Sequence, residues 1–289
     1  MFDGFDDRRV ALDDATIHVR TAGDGPPLLL LHGYPQTGAA WARVAPDLAD
    51  EFSVVVPDLR GYGASEGPAD PSAVDYAKRT LAHDAVGLMA ELGHDRFALA
   101  GHDRGARVGY RLALDYPDRV ERLAVLDVTP TLSKAEAMDW QAAKSTFHWL
   151  FLAQPRPLPE TLIRGDPDFF LEFLLDSWAG DRSALDPAAV TAYRDAFRRD
   201  RVIRATCEDY RAGLSHDVDH DRESRAAGER IDAPLLALWG AAGRTASADP
   251  LGVWERWATD VRGGPVDCGH FVMEEAPAET TDRLRGFFR

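Results

Sequence analysis

The sequence predicts an α/β protein: a mostly parallel central sheet flanked by helices, with a helical block inserted after the sixth strand. Three observations predict it. Short apolar runs, punctuated by Gly, Pro or Asp, recur at Leu28–Leu31, Val54–Val56, Phe97–Ala100, Leu123–Leu126 and Leu235–Trp239. Such runs suit strands buried on both faces. The intervening segments are long enough for crossover helices. The alternation breaks after Thr131 and resumes at Pro234, which leaves roughly a hundred residues with no buried-strand signature.

The elements follow in chain order. Val10–Leu12 and Thr16–Thr21 flank acidic turn residues and read as a β-hairpin. Leu81, Ala85, Leu88 and Leu92 recur at helical spacing before Gly93, so the spacing predicts an amphipathic helix over 76–92. A second helix, Arg104–Tyr116, follows the third apolar run and stops at Pro117. The helical block divides the chain into a core of 1–130 with 229–289 and a cap of 131–228. An insertion there is expected to cover the carboxyl ends of the strands, where ligands bind in open α/β sheets.

Composition narrows the function. A chain of 289 residues with 45% apolar and 28% charged side chains can bury a large core and is not disordered. Cys207 and Cys268 are too few for a disulfide framework and have no zinc spacing. The start, MFDGFDDRRV, lacks the apolar stretch of a signal peptide, and Leu28–Leu31 is far short of a span of about 20 residues. A soluble, cytoplasmic protein is expected. The net charge of −15 argues against nucleic acid and anionic membranes as partners, since both select basic surfaces. Lysine occurs only at 78, 134 and 144, so an arginine here is informative only by its placement.

One turn carries the chemistry. Phe97–Ala100 leads into Gly101-His102-Asp103-Arg104-Gly105 and then a helix. This is a Gly-x-nucleophile-x-Gly elbow with Asp at its centre; the flanking glycines permit the sharp turn that holds the central side chain out. The helix start would aim free N–H groups and a positive dipole end at the carboxylate. The competing reading of Asp103 is a helix N-cap.

Other elements fall in matching order. The loop His32-Gly33-Tyr34-Pro35 follows Leu28–Leu31 and can offer the Tyr34 backbone N–H to an oxyanion hole, beside that of Arg104. His32 itself reads as a structural hydrogen-bonder at the edge of the pocket. Pro57–Gly63 forms a tight turn that shapes the site. Asp127 ends Leu123–Leu126, and His270 lies in Asp267-Cys268-Gly269-His270-Phe271 near the carboxyl terminus. Nucleophile, acid, histidine is the chain order of an α/β-hydrolase triad, with His270 as base and Asp127 orienting its ring. The loop after Leu235–Trp239 holds no carboxylate before Asp249, which favours Asp127.

A carboxylate attacks amides poorly, but it can displace a leaving group from sp3 carbon or open an epoxide, leaving an ester on the enzyme. Water activated by histidine then hydrolyses the ester. No metal or other cofactor is expected. His216 and His220, four apart among aspartates, read as a solvated loop.

Four motifs together resemble the fluoroacetate dehalogenases, which are α/β-hydrolases: His32–Thr37, Pro57–Gly63, Gly101–Arg107 and Phe147-His148-Trp149. The resemblance implies that Arg104 and Arg107 grip the carboxylate of a small anionic haloacid. Forked charge-assisted bonds suit that task, and the two residues stand three apart on one helix face. It implies that His148, Trp149 and a cap tyrosine, best matched by Tyr210, hold the departing halide. It also sets Trp178 near the substrate entrance and suggests a homodimer. Three alternatives remain: an epoxide hydrolase using Tyr193 and Tyr210, a haloalkane dehalogenase, and a binding module that has kept the fold without the reaction.

Overall fold

The computed structural model describes residues 1–289. Its strands are β1 (Asp6–Ala11), β2 (Thr16–Ala22), β3 (Pro27–Leu31), β4 (Ser53–Pro57), β5 (Phe97–His102), β6 (Val120–Leu126), β7 (Leu235–Gly240) and β8 (Val261–Val266). They form one sheet in the order β1-β2-β4-β3-β5-β6-β7-β8. The β1–β2 and β2–β4 pairs are antiparallel, and every other pair is parallel. The five apolar runs are thus β3 to β7, and the hairpin at the front is β1–β2.

The sequence reading and the fold differ in three places. The helix expected over 76–92 is a 3-10 turn, Ala73–Tyr76, followed by an α-helix, Lys78–Glu91; Ala77, at ψ 145°, separates them. β8 matches none of the apolar runs. It is an edge strand, largely uncovered, so nothing requires it to be apolar, and Pro265 is tolerated there. At the other edge, β1 extends back to Asp6 and carries Asp6, Asp7, Arg8 and Arg9, charges that discourage edge-to-edge pairing.

Strand order sets the site. The chain runs from β3 outward to β4, returns past β3 to β5, and then proceeds the other way. The direction reverses between β3 and β5, which opens a crevice at their carboxyl ends. Asp103 follows β5 there, and the loop from His32 follows β3.

Between β6 and β7 the chain is helical, from Thr131–Glu136 to His216–Ala227. Its buried side chains, among them Trp149, Leu152, Leu171 and Leu174, join those of the sheet in one apolar cluster. Apolar burial therefore fastens the insertion to the sheet. Gly228, left-handed at φ 74°, ends the last helix before the chain re-enters the sheet. No helix is long and apolar enough to cross a membrane.

Candidate active site

Asp103 sits in the elbow between β5 and the helix Arg104–Asp115, at φ 44° and ψ −110°. A non-glycine residue at positive φ is strained, and such strain gathers at functional sites. Close packing holds the turn: a methyl group on Gly105 would lie 2.4 Å from the carbonyl oxygen of His32. The Asp103 carboxylate makes no capping bond to its helix. Instead its Oδ1 accepts the backbone N–H of Tyr34 at 3.1 Å. The N-cap alternative therefore does not describe this side chain. Burial raises the Asp103 pKa, but the positive groups around it, His270 first and Arg104 and Arg107 among them, outweigh it and leave a net downward shift. An ionised carboxylate is the consequence at neutral pH.

Asp127, also at positive φ (50°), follows β6. Its Oδ2 pairs with Nδ1 of His270 at 2.5 Å, and its Oδ1 accepts the Gly240 N–H at 3.2 Å. The His270 Nδ1–H is thereby held by the carboxylate, which leaves Nε2 as the free ring nitrogen. The His270 ring lies 4.5 Å from that of His102 and 5.3 Å from that of Trp178, and its backbone N–H donates to Trp178 O at 3.0 Å. The sheet and the insertion thus meet on this histidine.

Asp103, Asp127 and His270 line one cavity of about 60 Å³, room for a molecule of a few heavy atoms. Arg107, His148, Trp149 and Trp178 share its wall. Burial and the charge of Arg244 push the His148 pKa well down, so its ring is neutral. Several buried donors find no partner in the protein: His148 Nδ1, Arg107 Nε, Arg104 Nη1, and the hydroxyls of Tyr34 and Tyr210. Native proteins leave few buried polar atoms unpaired. Two of these residues, His148 and Arg107, stand on the cavity wall, which suits the cavity to an acceptor or anion.

Three expectations need correction in position. Arg104 is fully buried and does not line the cavity. Asp209 takes its guanidinium through Nε (3.0 Å) and Nη2 (2.5 Å), and Lys78 bonds to the same carboxylate. The sequence marked Arg104 by its place beside the nucleophile; tertiary folding supplies a carboxylate from Asp200–Gly213 that captures the side chain, so only Nη1 stays free. Tyr210 is likewise absent from the cavity wall. It stands behind His148 and Trp149, at ring distances of 5.6 and 6.0 Å, with the Arg104 guanidinium 4.4 Å over its face. His32 lies below the pocket: its Nδ1 bonds Gly33 O at 2.9 Å and its Nε2 accepts the Leu59 N–H at 3.0 Å. It ties the β3 and β4 loops together.

Sequence reasoning missed two cations on the cavity wall, Lys134 and Arg244. Arg244 follows β7, in a loop whose only readable feature was its lack of an early acid. Its Nη1 donates to Ser145 O at 2.6 Å and its guanidinium lies 4.9 Å over the Trp178 ring.

A buried chain supports His270 from behind. His102 Nε2 faces the carbonyl oxygen of His270 at 2.8 Å, and its Nδ1 faces Oε1 of the Gln36 amide at 3.1 Å. Gln36 bonds in turn to Glu274, whose Oε1 also receives the Tyr193 hydroxyl at 3.0 Å. Burial pushes the His102 pKa down to about 4 and that of Glu274 up to about 8. Both groups are therefore neutral near pH 7.

The sheet order, the strained elbow and the Asp127–His270 pair define a class. The chain matches the model of the alpha/beta hydrolase fold over residues 26–277 and belongs to that family. Within it, the chain is 43% identical over 290 residues to the Burkholderia sp protein named Fluoroacetate dehalogenase, covering 99% of this chain and 95% of that one. It is 35% identical to the Soluble epoxide hydrolase of Corynebacterium sp. (strain C12), over 94% of this chain and 93% of that protein. The crystal structure of ALR0039 from Nostoc sp PCC 7120 superposes with a TM-score of 0.97 at 46% identity, covering 99% of each chain.

Proposed function

We propose that this α/β hydrolase cleaves the carbon–halogen bond of short 2-haloacids, with fluoroacetate giving glycolate and fluoride as the sharpest case. One observation carries the reading. The ionised Asp103 shares a small cavity with Arg107, a buried guanidinium that forms no salt bridge and whose Nη1 donates only to Thr131 Oγ1, at 3.0 Å. A guanidinium so placed calls for a carboxylate on the ligand. The 43% identity to Fluoroacetate dehalogenase points the same way.

In the proposed mechanism Arg107 holds the carboxylate, and the α-carbon faces Asp103. A carboxylate oxygen attacks that carbon, the carbon–halogen bond breaks, and the halide leaves with the bonding pair toward His148 and Trp149. Tyr210 stands behind those two, off the cavity wall, and packs against their rings. Nε2 of His270 then takes a proton from water, and the hydroxide attacks the Asp103 ester carbonyl. The Tyr34 N–H, already on Oδ1 at 3.1 Å, and the Arg104 N–H at the helix start stabilise the tetrahedral oxyanion. The bond between the Asp103 carbonyl carbon and the substrate oxygen breaks, the leaving alkoxide takes the proton held on His270 and departs as the hydroxyacid, and the regenerated Asp103 carboxyl loses its proton to solvent. Asp127 holds the ring throughout. The helices between β6 and β7 serve as the cap, and no metal or cofactor takes part.

An epoxide hydrolase would use the same Asp103 but would polarise a neutral epoxide with cap tyrosines. The resemblance at 35% to the Corynebacterium enzyme favours it. The Tyr193 hydroxyl counts against it, because it is spent on Glu274 at 3.0 Å. Fluoride release from fluoroacetate, with Asp103→Ala as control, separates the two. The expected result is release that vanishes in the variant. No release from fluoroacetate or chloroacetate, with turnover of an epoxide panel, overturns the haloacid reading.

A further inference from the structure

The cavity meets a larger outer groove, of about 910 Å³, and four residues line both: Thr129, Lys134, Arg244 and Ala248. The junction therefore carries two cations. Other charges of the groove are committed: Arg225 is bonded to Glu136 at 2.7 and 2.8 Å, Arg256 donates to Gly252 O at 3.1 Å, and Asp139 caps its own helix through Ala142 N–H at 2.7 Å. Lys134 and Arg244 form no salt bridge. Lys134 has no hydrogen-bond partner either, and Arg244 is held by Ser145 O and the Trp178 face. Burial, then the charges of Arg107 and Arg244, lower the Lys134 pKa, so these cations feel one another. An arrangement of half-buried, mutually repelling cations is costly when empty and is relieved by an anion. Arg244 is also held in place before any ligand arrives, so little side-chain freedom is lost on binding.

We propose that Lys134 and Arg244 form a second anion subsite at the mouth of the cavity, and that the preferred haloacids are 2-halodicarboxylates such as a 2-halosuccinate. The inference rests on the haloacid reading above. Five groups surround the α-carbon during displacement: Asp103 on one side, the halide opposite it toward His148 and Trp149, and three substituents between. Arg107 takes the first carboxylate, and a hydrogen fills a second position. The third substituent is free to point to the open side, where Lys134 and Arg244 stand. A carboxylate one methylene further out on that substituent meets them.

The test compares binding of succinate and butyrate to the wild-type protein by isothermal titration calorimetry. The two have equal chain length and differ in one terminal carboxylate. Succinate should bind about tenfold more tightly or better, and the ratio should fall toward one in Lys134→Met and Arg244→Gln, as expected when close ion pairs across an interface are lost. Equal affinities in the wild type, or a ratio that both substitutions leave unmoved, overturn the subsite. Halide release from chloroacetate is measured on the same preparation. Its absence there and from 2-chlorosuccinate, with turnover of an epoxide panel, overturns the haloacid reading, whereas the affinity ratio, which needs no turnover, tests the subsite by itself.

Discussion

At the scale of single residues, the site separates two kinds of work. Asp103 is kept ionised by surrounding positive charge, so it needs no base to attack. In the proposed reaction His270, oriented by Asp127 at 2.5 Å, is needed only for the ester that follows. His270→Asn should therefore trap the ester. Intact-mass spectrometry after incubation with fluoroacetate should show one adduct, equal to the substrate less hydrogen fluoride, and a folded variant without it contradicts the two-step scheme. In the proposed reaction Arg107 acts on binding. Its charge-assisted bonds to a carboxylate are worth roughly 1.5–3 kcal/mol, so Arg107→Met should raise KM for haloacetate by about ten- to a hundredfold. Steady-state kinetics check it; an unchanged KM removes Arg107 from the carboxylate site.

At the scale of elements, the elbow matters most. β5 ends and the next helix begins within one strained residue, and the small residues around it let β3 approach closely. A Cβ on Gly105 would meet two backbone carbonyl oxygens, His32 O at 2.4 Å and Leu31 O at 2.5 Å. Backbone cannot swing aside as a flexible side chain can. Gly105→Ala should cost about 1–3 kcal/mol or more of stability by urea unfolding, and should displace Asp103 enough to abolish turnover. A variant of wild-type stability would mean that the turn tolerates a wider separation of β3 from the helix than its contacts imply.

At the scale of the whole molecule, a buried polar chain links the sheet to the insertion. Tyr193 and Glu274 meet across it, and Gln36 and His102 continue to the backbone of His270. The Glu274 pKa is raised from 4.5 to about 8. Between those values the folded state binds a proton that the unfolded state has released, so this group makes stability fall as pH rises, by up to about 1.4 kcal/mol per pH unit. Below pH 4.5 both states are protonated and the contribution is constant. Glu274→Gln keeps the hydrogen bonds without the titration. It should flatten the stability profile between pH 5 and 8 in urea titrations, relative to the wild type; an identical slope means that another group sets it.

Much of this was legible in the sequence. The strands buried on both faces announced themselves as β3 to β7, because burial there demands unbroken apolar runs. Asp103, Asp127 and His270 were legible because each sits at a strand end or in a turn whose local chemistry marks it. The edge strand β8 was not, since an exposed edge places no such demand on its side chains. The long-range polar partners were hidden for a different reason. Arg104 is drawn from the cavity by Asp209, 105 residues away along the chain, and Arg244 is brought to the cavity wall by a loop with no local signature. By itself the sequence determined which segments form the sheet, where the chain turns back, and which carboxylate and histidine stand at those turns, because these depend on local pattern and backbone sterics. Only the tertiary structure decided which cations face the ligand. A guanidinium reaches several ångströms in any direction, and its partner is chosen by whichever carboxylate folding brings within reach.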